Sequence, residues 1–319
     1  MDTTVLVEQV GINEPRIREL GVASMPRIAV LIPAFNEELA IASVVLTAKK
    51  FADLVIVCDD GSQDMTSEIA KQLGAEVVVH RRNLGYGTAL LSLFTRANEL
   101  GADIVVTFDG DGQHDARFIP DLTAPIVSDE ADLVIGSRFK DGSRDRTASW
   151  RKIGIQMINT LVQAASRKQY SDTQSGMRAY RAKVLRFVYP SEAGMGASTE
   201  ILLKASKAGL RIREVGIPIT YGKGSSHNPL AQWLDVAGST VKYMSLEHPL
   251  KFYGIPATIS VMIGVFFGIW AFDNYVSYHR LVTNFAIISL ASTIIGLILG
   301  TTSIILYAMT SLIKNHLSR

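Results

Sequence analysis

The sequence predicts an α/β fold built on a mainly parallel sheet, followed at the C-terminus by a hairpin of two membrane-spanning helices. Three observations carry this. Short β-branched runs alternate with helix-like segments over roughly the first two thirds of the 319 residues. Two long stretches near the end, 252–272 and 281–313, contain no Asp, Glu, Lys or Arg. The mean hydropathy is positive, +0.21, and those two stretches are its source.

The runs 27–32 (RIAVLI), 54–58 (LVIVC), 76–79 (EVVV), 104–108 (IVVTF) and 133–135 (LVI) read as strands. Segments 38–50, 66–73, 88–100 and 118–127 between them read as helices. Near-continuous apolar strands are buried on both faces, which is the condition of a parallel sheet covered by helices. In such sheets ligands bind beyond the carboxyl ends of the strands. After Ser137 the pattern changes. A charged loop at 140–146 precedes helices at 152–167 and 198–208 and a strand at 212–221. Residues 228–248 form an amphipathic helix with Leu230, Trp233, Leu234, Val241 and Met244 on one side. It suits either a membrane surface or the flank of the preceding domain.

A span needs about 20 apolar residues, and both charge-free stretches reach that. The second is expected to start near Ala286, after a loop at 273–280. The expected division is therefore 1–228, a cytoplasmic domain; 229–250, a juxtamembrane helix; and 251–319, two spans. Residues 1–25 have no apolar core of the signal-peptide kind. Lys242, Lys251, Lys314 and Arg319 flank the outer ends of the hairpin against Arg280 in its loop, so both termini are expected on the cytoplasmic side. A net charge of +2 gives no reason to expect nucleic acid, and the single cysteine, Cys58, excludes an internal disulfide.

The strand ends hold the chemistry. Segment 107–114 (TFDGDGQH) places Asp109 and Asp111 just past the fourth strand, with Gln113 beyond. Two carboxylates and an amide form an all-oxygen set suited to Mg²⁺ or Mn²⁺ shared with phosphate; an ordinary Asp-Gly turn is the plainer alternative. Segment 33–37 (PAFNE) follows the first strand and 58–64 (CDDGSQD) the second, where an acidic residue can accept bonds from ribose or base. Each alone could be a helix cap; three acidic clusters on one edge are harder to dismiss. Segment 83–87 (NLGYG) lacks the third glycine of a dinucleotide fingerprint and reads as a supporting loop. Arg138, Arg151, Arg178 and Lys223 are candidate partners for phosphate charge. The six histidines are scattered, and there is no triad, zinc cluster or cysteine nucleophile to be read.

PAFNE, CDDGSQD, FDGDGQH, GSR (136–138) and DTQSGMR (172–178), in this order, resemble the inverting family 2 nucleotide-sugar glycosyltransferases with the Rossmann-like A-type fold. More closely they resemble the dolichol-phosphate mannose synthase and polyprenyl-phosphate glucosyltransferase branch, over about residues 27–230. The resemblance implies nucleotide contacts by Pro33, Phe35, Glu37, Cys58 and Asp60. It implies metal and donor phosphates at Asp109, Asp111 and Gln113, with Gly110 and Lys223 also on the donor side. Arg138 and Arg151 would meet donor and acceptor phosphates. Asp172, Ser175 and Gly176 would shape the acceptor side, with Glu200 supporting that wall. The family's Arg-Gly-x-Ser-Lys stretch corresponds here to Lys223–His227 with both basic positions changed, so the sugar stays open.

The implied reaction transfers one hexose from a GDP-mannose, UDP-glucose or UDP-N-acetylglucosamine type donor to polyprenyl or dolichyl phosphate. The acceptor phosphate is already an anion, so no general base is assigned. A processive polysaccharide synthase shares the fold but would carry Gln-x-x-Arg-Trp and more spans. A non-catalytic nucleotide-sugar-binding membrane protein would be expected to lack the paired aspartates or the arginines. Gly264-x-x-x-Gly268 and Gly296-x-x-x-Gly300 suit close helix packing, either between copies of the chain or within the hairpin.

Overall fold

The computed structural model describes residues 25–140, 170–218, 249–279 and 282–317, with single residues between. The chain divides into two compact units, Met1–Trp233 and Leu234–Arg319. Arg151, Lys223, His227, most of the expected helix 152–167 and most of the amphipathic helix 228–248 lie outside the described residues.

The first unit is a seven-stranded sheet: β1 (Ile28–Ala34), β2 (Leu54–Asp59), β3 (Glu76–Val79), β4 (Ile104–Thr107), β5 (Leu133–Ser137), β6 (Arg178–Arg181) and β7 (Ile212–Gly216). Their order across the sheet is β3-β2-β1-β4-β6-β5-β7. β1 pairs in parallel with both β2 and β4, β2 with β3, and β5 with β7. Val30 and Ile32 of β1 join Val55 and Val57 in one core, against Ile41, Val44 and Val45 of α1 (Ile41–Ala48). Leu31 and Ile56 are buried as well. Burial on both faces accounts for the unbroken apolar runs. Helices α2 (Thr66–Gln72), α3 (Tyr86–Glu99) and α4 (Ile119–Val127) fill the crossovers. Phe94 of α3 meets Tyr180 edge-on, with ring centroids 5.4 Å apart. A four-residue helix, α5 (Leu185–Val188), and α6 (Ala197–Lys207) complete the described helices of this unit.

Register decides where the site can form. Ala34 lies opposite Asp59, and Leu31 opposite Thr107. The loops leaving β1, β2 and β4 therefore emerge side by side. β6, where the sequence analysis placed no strand, runs antiparallel between β4 and β5. Its reversal brings the residues just before it to this same edge, and Thr107 Oγ1 donates to the Gly176 carbonyl at 2.7 Å.

In the second unit a π-turn, Leu250–Gly254, leads into α7 (Ile255–Tyr278), followed by α8 (Thr283–Leu317). Both helices are long and apolar enough to cross a membrane. The expected loop 273–280 is mostly helix. The Asn274 side-chain Nδ2 donates to the Trp270 carbonyl one turn back, and the helix stops only where His279 turns left-handed at φ 49°. α8 likewise begins at Thr283, ahead of Ala286. At 1.5 Å per residue α8 is about 52 Å long, more than a bilayer core of about 30 Å needs.

The glycines pack within the hairpin. A Cβ on Gly264 would meet the Thr293 amide at 2.9 Å, and one on Gly296 the Ala257 carbonyl at 2.9 Å. Ser289 donates to the Gly264 carbonyl and Ser260 to that of Ser292. Trp270 stacks on Phe285 at 4.5 Å. Because apolar surface gains nothing by leaving lipid, close backbone approach and hydrogen bonds are what can hold such a pair together.

A Cβ built on Gly300 stands 3.8 Å from that of Ala257, within the range a disulfide bridges. Ala257→Cys with Gly300→Cys should therefore close an intrachain bridge under mild oxidation, read by mass spectrometry. The one native thiol, Cys58, is buried and should stay out of it. Cross-linking between chains in its place would mean that these helices pair differently.

Candidate functional site

Four carboxylates gather at the shared edge. Asn36 turns the chain left-handed after β1 (φ 55°), and the loop is then stitched to the one after β2. The Asn36 amide donates to Ser62 Oγ, that of Glu37 to Thr66 Oγ1, and that of Glu38 to Asp64 Oδ2. In return Asn36 Oδ1 accepts from the Gln63 amide. These bonds fix Glu37, half-buried, facing three other acids. Burial, then the charges of Asp111, Asp64 and Asp109, push its carboxyl up to about 7.

Asp109 and Asp111 follow β4 but sit differently. Asp109 is held from two sides. His114 Nε2 lies 2.9 Å from its Oδ2, and the bare backbone of Gly176 abuts the carboxylate so closely that any Cβ there would collide with both oxygens. Burial works to raise the Asp109 pKa. The His114 hydrogen bond and the charges of His114, Arg138 and Arg178 outweigh it and hold the carboxyl below its ordinary range. Asp111 is exposed. Partial desolvation and the charge of Asp109 raise its pKa, and its Oδ1 accepts from the Gln113 amide at 3.0 Å. Gly110 lies against the Pro33 carbonyl, where a Cβ would be 3.0 Å away. Pro33 and Phe35 are partly exposed at the same edge.

The basic residues are less free than the sequence suggests. Arg138 grips Asp172 in a bidentate pair, Nε to Oδ2 at 2.6 Å and Nη2 to Oδ1 at 2.7 Å. Asp172 is 0% exposed. Arg178, a candidate phosphate partner, is 1% exposed. Its guanidinium donates to the carbonyls of Ser175, Ser198 and Thr173. It serves as an internal cation that shapes the 172–178 turn, its fork of N–H donors reaching three converging carbonyls.

Two residues expected at the nucleotide are buried. Cys58 is 0% exposed; burial, then Asp60 and Asp59, push its thiol up to about 12. The Asp60 carboxylate accepts from His80 Nδ1 at 2.6 Å and from the amides of Leu84 and Gly85 at 2.9 and 2.8 Å. These bonds set the 83–87 loop at the start of α3. That loop in turn leans on the next, through the Gly87 amide and the Ala193 carbonyl at 2.7 Å. Glu200 braces the second loop by accepting from the amides of Ser191 and Glu192. Ser175 is buried beside Arg178.

Three residues escaped the sequence reading. His114 and His80 orient Asp109 and Asp60, yet a histidine near an aspartate in sequence is too common to signal pairing; the placement of His114 inside the FDGDGQH motif was the available clue. Tyr86 opens α3 close enough to Asp109 that, after burial, the carboxylate's charge raises its phenol pKa.

Glu37 gives the site a pH signature. Its unfolded carboxyl ionises near 4.5, while the folded one keeps its proton to about 7. Between these values the folded state binds more protons, so this group's contribution to stability falls as pH rises. Melting curves of the metal-free protein in EDTA, from about pH 5 to about pH 8, should therefore fall more steeply for the wild type than for Glu37→Gln. Parallel curves would mean that Glu37 does not feel its neighbours.

The comparisons agree with this geometry. The family described as Glycosyl transferase family 2 matches residues 29–188, half of the chain. The chain is 33% identical over 215 residues to a UDP-N-acetylglucosamine–dolichyl-phosphate N-acetylglucosaminyltransferase of Methanococcus voltae, covering 61% of this chain and 86% of that protein. It is 32% identical over 231 residues to a dolichyl-phosphate hexose transferase of Haloferax volcanii, covering 70% and 96%. The crystal structure of glucosyl-3-phosphoglycerate synthase from Mycobacterium tuberculosis, in complex with Mn²⁺, uridine diphosphate and phosphoglyceric acid, superposes with a TM-score of 0.56. It shares 22% identity over 68% of this chain and 78% of that one, a likeness of fold. The chain belongs to glycosyl transferase family 2 and is a glycosyltransferase with the A-type α/β fold.

Proposed function

We propose that the protein transfers a single hexose from a nucleotide-sugar to polyprenyl or dolichyl phosphate, with inversion and with Mg²⁺ or Mn²⁺, from a membrane-anchored domain on the cytoplasmic side. The observation that carries this is the crowding of Glu37, Asp64, Asp109 and Asp111 at one sheet edge, with Glu37 and Asp111 pushed up in pKa by burial and then by their acidic neighbours. Such a cluster favours a cation. Among the described residues no group of three His, Cys, Asp or Glu side chains is arranged to hold a metal by itself. A hard ion at this edge would share its coordination with a donor diphosphate. Asp109, Asp111 and Gln113 would hold it, and when bound it would stabilise negative charge on the departing diphosphate.

The names of the relatives support the acceptor, since two are dolichyl-phosphate transferases. The two long apolar helices support an acceptor that lives in lipid. In the proposed step an oxygen of the lipid phosphate attacks the anomeric carbon. The bond from that carbon to the nucleotide's diphosphate breaks on the opposite face, and the diphosphate leaves with the electron pair. The attacking oxygen is already anionic, so the protein's task is alignment and charge stabilisation. Pro33, Phe35 and Glu37 would line the nucleotide. Cys58 and Asp60 would act from beneath, Asp60 by fixing the 83–87 loop. Arg138 would position Asp172 and the turn after it, and Arg151 and Lys223 would meet phosphate charge.

Purified protein with a polyprenyl phosphate and a panel of nucleotide-sugars should make glycolipid from one donor, and EDTA should abolish it. Asp111→Asn should lower turnover by at least about a hundredfold with no fall in melting temperature; an active variant would remove the metal assignment. Arg151→Ala should raise KM for the lipid phosphate about tenfold and leave donor KM unmoved. An equal rise in both would take Arg151 off the acceptor.

A further inference from the structure

We propose that His114 is a positioning residue for the cation-binding carboxylate, its Nε2–H fixing Asp109 in the one orientation that leaves Oδ1 for the metal; this rests on the metal reading above. The loop is built to bring the two together. Gly112 takes a left-handed conformation (φ 72°), open to glycine at little cost, which turns the chain back so that residue 114 reaches residue 109. The His114 side chain is 4% exposed, with its ring beside that of Phe108 at 5.9 Å. Asp109 is thus held between an imidazole and the backbone of Gly176. Among the described residues Oδ1 has no hydrogen bond.

The other ring nitrogen makes the case. Nδ1 is buried without a hydrogen-bond partner among the described residues. An ionised carboxylate only accepts, so the proton of the shared bond sits on Nε2, and Nδ1 is left with no partner for its lone pair or for a proton. A buried orphan of this kind is unfavourable, and a leucine or methionine would fill the space without it. The position therefore tolerates a polar cost for a single polar bond, and that bond goes to Asp109. Partners of this outer kind orient the ligating group and typically change metal affinity by about ten- to a hundredfold when removed.

The test compares His114→Met, His114→Gln and His114→Asn. The Gln amide can place an N–H near the Nε2 position, whereas that of Asn falls short. Mn²⁺ affinity is read from the free-ion EPR signal, with uridine or guanosine diphosphate present, alongside melting in EDTA. His114→Met and His114→Asn should bind Mn²⁺ about ten- to a hundredfold more weakly. His114→Gln should stay within about threefold of the wild type, and His114→Met should melt no lower in EDTA, because the orphan nitrogen is gone. Wild-type Mn²⁺ affinity in His114→Met, or equal weakness in His114→Gln and His114→Asn, would overturn the role. Asp111→Asn separates the two readings. If it loses Mn²⁺ while His114→Met does not, His114 alone is misassigned; if it too binds as the wild type, the metal reading falls and the role of His114 falls with it.

Discussion

Repulsion between like charges is the constraint on which this structure turns. Burial, then the charges of Asp111, Asp64 and Asp109, raise the Glu37 pKa, and burial, then the charge of Asp109, raises that of Asp111. An acidic cluster in flexible loops would relieve itself by spreading apart. Here it cannot, because each acid is tied to a strand end whose position is set by sheet register. Loop-to-loop hydrogen bonds between 36–38 and 62–66 then remove the remaining freedom. The stability given up at the edge is supplied by the apolar core beneath it.

The buried arginines follow from the same constraint. Arg178 sits under Asp109 and favours its charged form without competing for its oxygens, since its own N–H groups go to carbonyls. Arg138 does similar work at one remove while paired with Asp172. Taking two ions out of water is costly, and a well-packed apolar pair would often be as stable. Their use here is electrostatic: fixed positive charge on the protein side of Asp109, with the side facing the ligand left for a mobile cation or phosphate.

The sheet was legible because burial on both faces leaves unmistakable apolar runs, and β1, β2, β3, β4 and β5 all fell where those runs lie. β6 was not, because RAYR is short and carries two arginines. The acidic edge was legible from position alone: motif after strand, three times. What each side chain does there was not. Asp60 and Asp109 look alike in sequence, yet Asp60 is consumed by His80 and two backbone amides, while Asp109 keeps an oxygen free of such bonds among the described residues. Those differences depend on contacts between residues 20 or more apart, or on a left-handed glycine, and neither leaves a local pattern. The hairpin boundaries slipped for a simpler reason: charge marks where a helix leaves lipid, whereas hydrogen bonding decides where it ends.

The two units answer to different solvents, and their use of small residues shows it. In the sheet domain Gly110, Gly112 and Gly176 let backbone and carboxylate approach or turn, and water and apolar packing supply the driving force. In the hairpin Gly264 and Gly296 let one helix backbone press against the other and Gly268 makes room for the Ser289 side chain, with serines donating across the seam. The large apolar side chains, Ile263, Phe266, Ile269, Leu290, Ile294 and Leu297 among them, are left facing outward. In water that arrangement would be inside out. In lipid it is the stable one, because the bilayer accepts the outward side chains and only close packing can hold the pair together. The chain thus combines an apolar hairpin with an acidic edge whose charge favours a cation.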